Sequence, residues 1–149
     1  MTSAEGGPAL FRLVRFWSRR WTRGAAAGAG ETAQHVLTVE AVIACCAQGA
    51  GSPDGAATVG DVARLLGLDQ SGASRMVAAA AAAGYVERSR ATADGRRSVL
   101  LLTATGHALI DSSHRWQRET FAELTATWDE EDRTRFAGYL QRLASEVGA

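Results

Sequence analysis

The sequence predicts a mainly α-helical fold with a small β-wing. Two short helical segments meet at the "GLD" turn of residues 67–69, and two β-prone runs around the pair Asp94-Gly95 follow them directly. Amphipathic helical segments lie on both sides of this centre. The order helix, helix, hairpin indicates a winged helix-turn-helix domain flanked by N- and C-terminal helices.

The composition fits one globular domain with balanced charge. The 149 residues are 46% hydrophobic. The 16 basic side chains, all of them arginines, are equal in number to the 16 acidic ones. Neutral charge argues against a nonspecific polyanion binder but allows a local basic patch. No apolar run is long enough to cross a bilayer, and arginines interrupt the hydrophobic part of the opening segment. We therefore expect a cytoplasmic protein with no membrane contact.

The N-terminal segment is predicted to be an amphipathic helix that Pro8 opens. Apolar residues recur at spacings of three and four, and arginines occupy the opposite side. The apolar residues are Leu10, Leu13, Val14, Trp17 and Trp21, and the arginines are Arg12, Arg15, Arg19 and Arg23. We interpret this segment as a helix packed on a partner rather than one lying on an anionic membrane.

The second and third helices are predicted from their caps. Thr38 is the expected N-cap of the second helix, and the residues expected on its buried side are Val39, Val42, Ile43 and Cys46. After a turn-rich stretch, the pattern "TVGD" at 58–61 is a capping box. It starts the third helix, which is predicted to end at Gly67.

The fourth helix and the hairpin complete the centre of the chain. The side of the fourth helix that can face the core consists of Ala73, Met76, Val77, Ala80 and Gly84. The runs "YVERSR" and "RSVLLLT" are β-prone, and the Asp94-Gly95 pair between them favours a tight reversal. The second helix of such a helix-turn-helix has the shape that enters a DNA major groove.

Two long amphipathic helices are predicted at the C-terminus. Thr103 caps the first, which is expected to run through Trp128, and Asp129 opens the last helix. The last helix has an apolar stripe made of Phe136, Tyr139, Leu140, Leu143 and Val147. Because a domain of this size cannot easily hide so much apolar surface, we expect a homodimer.

From about Leu10 to its C-terminus the chain resembles the multiple-antibiotic-resistance regulator (MarR) family of winged helix-turn-helix transcription regulators. The resemblance is carried by "LT" at 37–38, "VGDVARLLGLDQSGASRMV", "GYVER", "DGRR", "LTATGHAL" and "WDEEDRTRFAGYLQRL". It implies a single domain over residues 1–149. Residues 1–36 and 104–149 would form the dimerisation helices, and residues 37–103 would form the winged helix that binds double-stranded DNA.

The first turns of the fourth helix carry the candidate base-reading and phosphate-binding side chains. These are Gln70, Ser71, Ser74 and Arg75. Gln pairs with adenine edges and Arg with guanine, whereas serines near a helix N-terminus suit phosphates. Six alanines at 78–83 follow them, where relatives usually carry charged residues. These alanines either contact thymine methyl groups or serve only to form helix.

The wing carries the remaining candidate DNA contacts. By position, Asp94 and Arg96 match the family's wing element, in which the aspartate steadies an arginine that enters the minor groove. Gly95 replaces the arginine more often found between them, and Arg97 would supply that charge. Arg88 and Arg90 add positive charge to the wing strand, which suits the negative potential of a narrow minor groove.

The resemblance implies a homodimeric repressor that binds a pseudo-palindromic operator and releases it when a small aromatic effector binds. Trp17, Trp21 and Trp116 are candidate neighbours of the effector crevice. Two alternatives stay open. One is a winged-helix module that binds a protein partner and DNA only weakly; the other is an oxidant sensor that uses Cys45 or Cys46.

Other chemistry has little support in the sequence. The chain lacks a nucleophile elbow, a phosphate-binding loop and paired carboxylates in a glycine-bounded pocket, so we predict no enzyme activity and no cofactor. His107 and His114 are two helical turns apart, too far to chelate one metal ion alone. Cys45 and Cys46 lie in an apolar run, and we expect both to pack in the core.

Overall fold

The computed structural model describes residues 5–24, 29–47, 49, 56–90 and 98–148. Within this part of the chain four helices, two strands and two further helices follow one another, which confirms the predicted mainly α-helical fold with a small β-wing. The elements are α1 (Gly6–Gly24), α2 (Ala29–Ala47), α3 (Val59–Leu66), α4 (Gln70–Ala82), β1 (Val86–Arg90), β2 (Ser98–Leu102), α5 (Ala104–Leu124) and α6 (Glu130–Val147).

The chain forms two compact units, Met1–Asp111 and Ser112–Ala149, and α5 contributes to both. The hydrophobic core lies in the first unit, where small and β-branched side chains from α2, α3, α4 and the strands pack together. Its fully buried members include Val39, Val42, Val62, Val77 and Leu100.

Helix α2 differs from the prediction at its start and on its buried face. Thr38 is not an N-cap, because α2 begins at Ala29 and Thr38 lies in the helix interior. Its hydroxyl donates a 2.8 Å hydrogen bond to the Gln34 carbonyl one turn earlier, which satisfies the buried oxygen. Cys45 is buried in the core, whereas Cys46 and Ile43 are exposed. The prediction that both cysteines pack in the core is therefore wrong for Cys46.

The helix-turn-helix is held by caps on both of its helices. The capping box at the start of α3 is confirmed: the Asp61 amide donates to Thr58 Oγ1 at 3.2 Å, and the Thr58 amide donates to Asp61 Oδ2 at 3.0 Å. Gly67 ends α3 with φ of 64°, a left-handed conformation that favours glycine. Two residues later, Asp69 caps α4 by accepting a 2.6 Å hydrogen bond from the Gly72 amide.

The core face of α4 follows the predicted spacing with two exceptions. Ala73, Val77 and Ala80 are fully buried. Met76 is half-buried, and Gly84 is exposed beyond the helix end with φ of 82°. The alanine spacing therefore serves packing on one side of the helix, and the glycine serves the turn that leads into β1.

The wing is an antiparallel pair of strands that is continuous with the core. Val86 pairs with Leu102, and Arg90 pairs with Ser98 at the far end. Leu100, in the middle of β2, also donates its amide to the Ala57 carbonyl at 2.8 Å, so Ala57, which precedes the N-cap of α3, extends the sheet. The predicted hairpin strands are confirmed, and the predicted turn at 91–97 lies outside the described residues.

A tight junction joins the end of the wing to α5. Thr103 caps α5 as predicted, since its Oγ1 accepts a 3.0 Å hydrogen bond from the Gly106 amide. The same hydroxyl donates to the Gly84 carbonyl at 2.6 Å, and the Thr103 amide donates to the Tyr85 carbonyl at 3.2 Å. A Cβ on Gly106 would overlap the Tyr85 carbonyl oxygen and stand 3.1 Å from its carbonyl carbon. This approach requires glycine.

The second unit is built around aromatic contacts between the end of α5 and α6. Helix α5 ends at Leu124, before Trp128, so the predicted extent through Trp128 is wrong. Thr125 follows with its hydroxyl donating to the Phe121 carbonyl. The ring of Phe136 stacks on Phe121 with centroids 6.0 Å apart and lies 5.2 Å from Trp128. Asp129 caps α6 as predicted, accepting from the Asp132 amide at 2.8 Å.

Both terminal helices expose apolar side chains. Helix α6 has no buried residue, and its Tyr139 and Val147 are 65% and 69% exposed. Along the described part of α1 the exposed large apolar side chains include Leu10, Phe11, Leu13, Val14 and Phe16. Among the helices that the structure describes, none is both long and apolar enough to traverse a lipid bilayer.

We predict that Gly106→Ala destabilises the fold by about 3 kcal/mol, because the added methyl group meets a backbone carbonyl that has no room to move. Urea unfolding followed by circular dichroism measures this change. Gly60→Ala in α3 is the matched control, since a Cβ there makes ordinary contacts of 3.7 and 3.9 Å. We expect the control to keep or slightly raise stability. Equal stability of the two variants would contradict the close approach of Gly106 to the Tyr85 carbonyl.

Candidate nucleic-acid interface

The outer face of α4 is a narrow stripe of exposed side chains. Ser71, Arg75, Ala78 and Ala82 are exposed, and Ser74 at the edge is half-buried. With about 100° per residue, the exposed four lie within about 60° of one another around the helix axis. The core-facing residues Ala73, Val77 and Ala80 point the opposite way. The sequence-predicted Ser71, Ser74 and Arg75 are therefore brought together on the side of α4 that faces away from the core.

Gln70 lies apart from this stripe. It is exposed at the first position of α4, but it stands about 140° around the axis from Arg75. Its Oε1 atom lies 3.9 Å from the position of a Cβ on Gly60, beside the first turn of α3. Gln70 is therefore separated from Ser71 and Arg75, although it neighbours Ser74, which lies one turn further along α4 and about 40° around the axis.

The charge of α4 is small and localised. In α4, which is described in full, Arg75 is the one charged side chain. Asp69 stands immediately before the helix, and its carboxylate accepts from the Gly72 amide. The positive end of the helix dipole is thus already compensated by an acid. An anion at this helix must therefore be bound mainly by the side chains of Ser71, Ser74 and Arg75.

The described part of the wing exposes two arginines on one face. Arg88 pairs with Leu100 and Arg90 with Ser98, and both arginines are exposed. Cross-strand partners share a face of the sheet, so these arginines lie on the face of the buried Leu100 but beyond the core. Their Cβ atoms are about 7 Å apart along the strand. The other predicted wing residues, Asp94, Arg96 and Arg97, lie outside the described residues.

An ion pair at the start of the helix-turn-helix was missed by the sequence reasoning. Arg64 donates to the buried Asp61 carboxylate, which also accepts from the Thr58 hydroxyl at 2.7 Å. Burial by itself raises the pKa of Asp61, but the hydrogen bonds from Thr58 and the Arg64 charge outweigh it, so the pKa is lowered from its usual value. The spacing of three between Asp61 and Arg64 is the signal that would have indicated the pair.

Asp61 is therefore a structural group that orders the first turn of α3. Its carboxylate is held ionised at the first turn of α3, where a negative charge complements the helix N-terminus. The charge of Arg64 is paired with Asp61 within α3, although the Arg64 side chain is largely exposed.

The cysteines have different environments. Cys45 is buried, and burial raises the pKa of its thiol, with smaller contributions from the charges of Asp61 and Cys46. A raised pKa lowers the thiolate fraction at neutral pH, and the thiolate is the reactive form. Cys46, next to it, is exposed. The two thiols differ in access as well as in setting.

His35 is buried, whereas His107 and His114 are exposed on α5. The buried His35 ring lies 5.2 Å from the ring of Tyr85, which links α2 to the start of the wing. Over the described ranges, no group of three or more His, Cys, Asp or Glu side chains is arranged to hold a metal ion.

Helices α3 and α4, their turn and the following two strands define a winged helix-turn-helix. The family model of the MarR family matches residues 50–97, a range that contains α3, α4 and β1. The comparison with curated protein sequences gives no match. The resemblance to the MarR family that the sequence predicts is confirmed over this central segment.

Solved structures share the fold along the whole chain. A MarR family protein from Bacillus stearothermophilus has a TM-score of 0.72 at 16% identity, with 100% of both chains covered. The reduced form of MarR from E. coli has a TM-score of 0.66 at 18% identity, covering 92% of this chain and 94% of that one. A single-substitution mutant of S. aureus MepR, bound to an oligodeoxyribonucleotide, has a TM-score of 0.61 at 17% identity, covering 94% and 96%. The chain therefore has the fold of MarR-family transcription regulators.

We predict that a thiol reagent at neutral pH labels one cysteine of the native chain quickly and both after unfolding. Cys46 is exposed, whereas Cys45 is buried and its pKa is raised. Mass spectrometry of the labelled protein counts the modified thiols. The variant Cys46→Ala should lose the fast reaction and keep the slow one. Rapid labelling of that variant in the native state would show that Cys45 is accessible.

Proposed function

We propose that this chain is a cytoplasmic, homodimeric transcription regulator that binds a pseudo-palindromic double-stranded DNA operator. The observation that carries the proposal is the exposed face of α4, where Ser71, Ser74 and Arg75 converge on the outside of a helix-turn-helix. The wing strand that follows adds the exposed Arg88 and Arg90. The MepR mutant bound to an oligodeoxyribonucleotide supports it by analogy of fold.

The α4 side chains have distinct roles in this proposal. Arg75 reaches guanine O6 and N7 in the major groove, because its planar guanidinium matches that pair of acceptors. Ser71 and Ser74 donate to phosphates at the groove edge. Gln70, which lies toward α3, contacts the flanking backbone or an adenine edge at the end of the site.

The wing supplies charge rather than sequence reading. Arg88 and Arg90 lie near the sugar-phosphate backbone, and Arg96, steadied by Asp94, enters the minor groove with Arg97 beside it. Each phosphate that an arginine neutralises releases counterions, so this contribution falls steeply with salt. The acidic residues at 129–132 start α6 in the other compact unit, where they help balance the net charge.

The dimer rests on the exposed apolar faces of the terminal helices. Residues 1–36 and 104–149 are the proposed dimerisation segments. Side chains such as Phe11, which is 76% exposed, leave water when a second chain covers them. A twofold dimer presents two copies of α4, and the operator must then carry two related half-sites.

Repression released by a small aromatic effector completes the proposal. Trp17 and Trp116 are half-buried, and the Trp17 ring lies 5.8 Å from that of Phe16; the Trp21 side chain lies outside the described residues. An effector releases DNA only if it binds the DNA-incompetent arrangement more tightly than the competent one.

We predict that the chain selects a duplex from a random pool, and that Arg90→Ala weakens binding to every selected sequence alike. Loss of one phosphate contact per subunit should reduce the slope of affinity against salt by about one per subunit. Fluorescence anisotropy titrations across salt concentrations measure both effects. Arg142→Ala is the control, because Arg142 is on α6 and pairs there with Glu146 at 2.8 Å.

The outcome of the selection decides between the functions. Failure to bind any duplex at low salt would contradict the proposal, and capture of a protein partner by the same surface would favour the interaction module. Equal salt slopes for the Arg90→Ala and Arg142→Ala variants would show that Arg90 on the wing strand does not contact DNA. An unchanged DNA release by oxidants after replacement of both cysteines by serine would exclude the oxidant sensor.

We predict that the chain sediments as a dimer at micromolar concentration and that the double variant Leu140→Glu with Leu143→Glu sediments as a monomer. Both leucines are exposed on α6, so charge placed there opposes burial against a second chain. The control Gln141→Glu adds a charge to the same exposed helix between them. Monomeric wild type in analytical ultracentrifugation would contradict the dimer.

A further inference from the structure

Beyond Arg75, the outer face of α4 carries only methyl side chains. Ala78 and Ala82 are exposed, and Ala79 between them is half-buried. They continue the line of Ser71 and Arg75, since Ala78 and Ala82 stand about 60° and 20° around the axis from Arg75. The C-terminal half of this face therefore has no side-chain hydrogen-bond donor or acceptor.

Core packing accounts for other alanines of the same helix. Ala73 and Ala80 are fully buried on the opposite side, where larger side chains have no room. Packing does not require a small residue at Ala78 or Ala82, because both are exposed. High helix propensity alone would equally allow long polar residues such as glutamine or arginine at these exposed positions. Neither core packing nor helix propensity therefore explains why Ala78 and Ala82 are small.

We propose that Ala78 and Ala82 contact thymine methyl groups, so that the preferred half-site is a guanine with thymines beside it. This inference rests on the proposed DNA-binding function and names the sequence class that the same surface selects. The thymine C5-methyl group is the one apolar group that base pairs present in the major groove, and alanine is a suitable partner for it. An alanine ends at Cβ, so the α4 backbone lies close to the base edges.

The spacing along the helix sets the spacing of the bases. Arg75 and Ala78 are separated by about 4.5 Å along the axis, and Ala78 and Ala82 by about 6 Å. Successive base pairs are about 3.4 Å apart. A helix lying along the groove therefore places one thymine one or two base pairs from the guanine of Arg75, and a second about two base pairs further on.

Deoxyuridine substitution tests the contact directly. The duplex is the best sequence selected from the random pool, and thymines of one half-site are replaced one at a time by deoxyuridine. This removes the C5-methyl group and keeps the pairing with adenine. We expect wild-type affinity to fall at two positions, each on the order of fourfold, the value for one buried methyl group. Thymines outside the half-site should show no effect.

Protein variants assign the effect to particular alanines. Ala78→Gly should bind the thymine and deoxyuridine forms equally at the position nearer the guanine, and Ala82→Gly at the farther one. Ala81→Gly is the matched control, because the half-buried Ala81 belongs to the same helix but stands about 120° around its axis from Arg75, off the outer face. It should keep the wild-type preference while sharing the loss of helix propensity.

The outcomes separate this inference from the proposed function. Selection of a duplex that binds equally with thymine or deoxyuridine overturns the methyl contact and leaves the DNA-binding function standing. A preference for thymine that persists in both glycine variants also overturns it, since other groups would then read the methyl. Failure to select any duplex overturns both.

Discussion

The carbonyl of Tyr85 is the constraint on which the arrangement of the helix-turn-helix and the wing depends. It accepts the Thr103 amide, and the first turn of α5 approaches it so closely that position 106 must be glycine. The Thr103 hydroxyl bridges the Gly106 amide and the Gly84 carbonyl. The end of α4, both wing strands and the start of α5 are therefore joined at one point. This junction sets the direction of the α4 outer face relative to Arg88 and Arg90.

The helix-turn-helix is stabilised by polar groups at its helix ends and by small apolar side chains in its core. The caps at Thr58 and Asp69 satisfy amides at the starts of α3 and α4, and Gly67 turns the chain between them. The buried side of α4 is made of alanine and valine, so the helix lies close to its neighbours. With Arg75 as its one charge, the outer face of α4 is made mostly of small side chains.

Much of the fold follows from periodicity and caps, and the errors arise where neighbours supply a hydrogen bond or a packing surface. Thr38 has the residue type of an N-cap, but its hydroxyl bonds one turn back inside α2. The cysteine pair has no pattern that distinguishes its members, and packing in the first unit buries Cys45 rather than Cys46. Trp128 continues the apolar spacing of α5, yet it packs on Phe136 beyond the helix end.

The sequence by itself determined the element order, the capped helix-turn-helix, the β-wing and the candidate residues on α4, because these depend on spacing and local hydrogen bonding. Tertiary structure decided which candidates share a face. It places Ser71 and Arg75 on one exposed face with Ser74 at its edge, turns Gln70 toward Gly60 and exposes Ala78 and Ala82 in line with Arg75. It also explains Gly106, whose role depends on a backbone carbonyl 21 residues earlier, a proximity that no local pattern encodes.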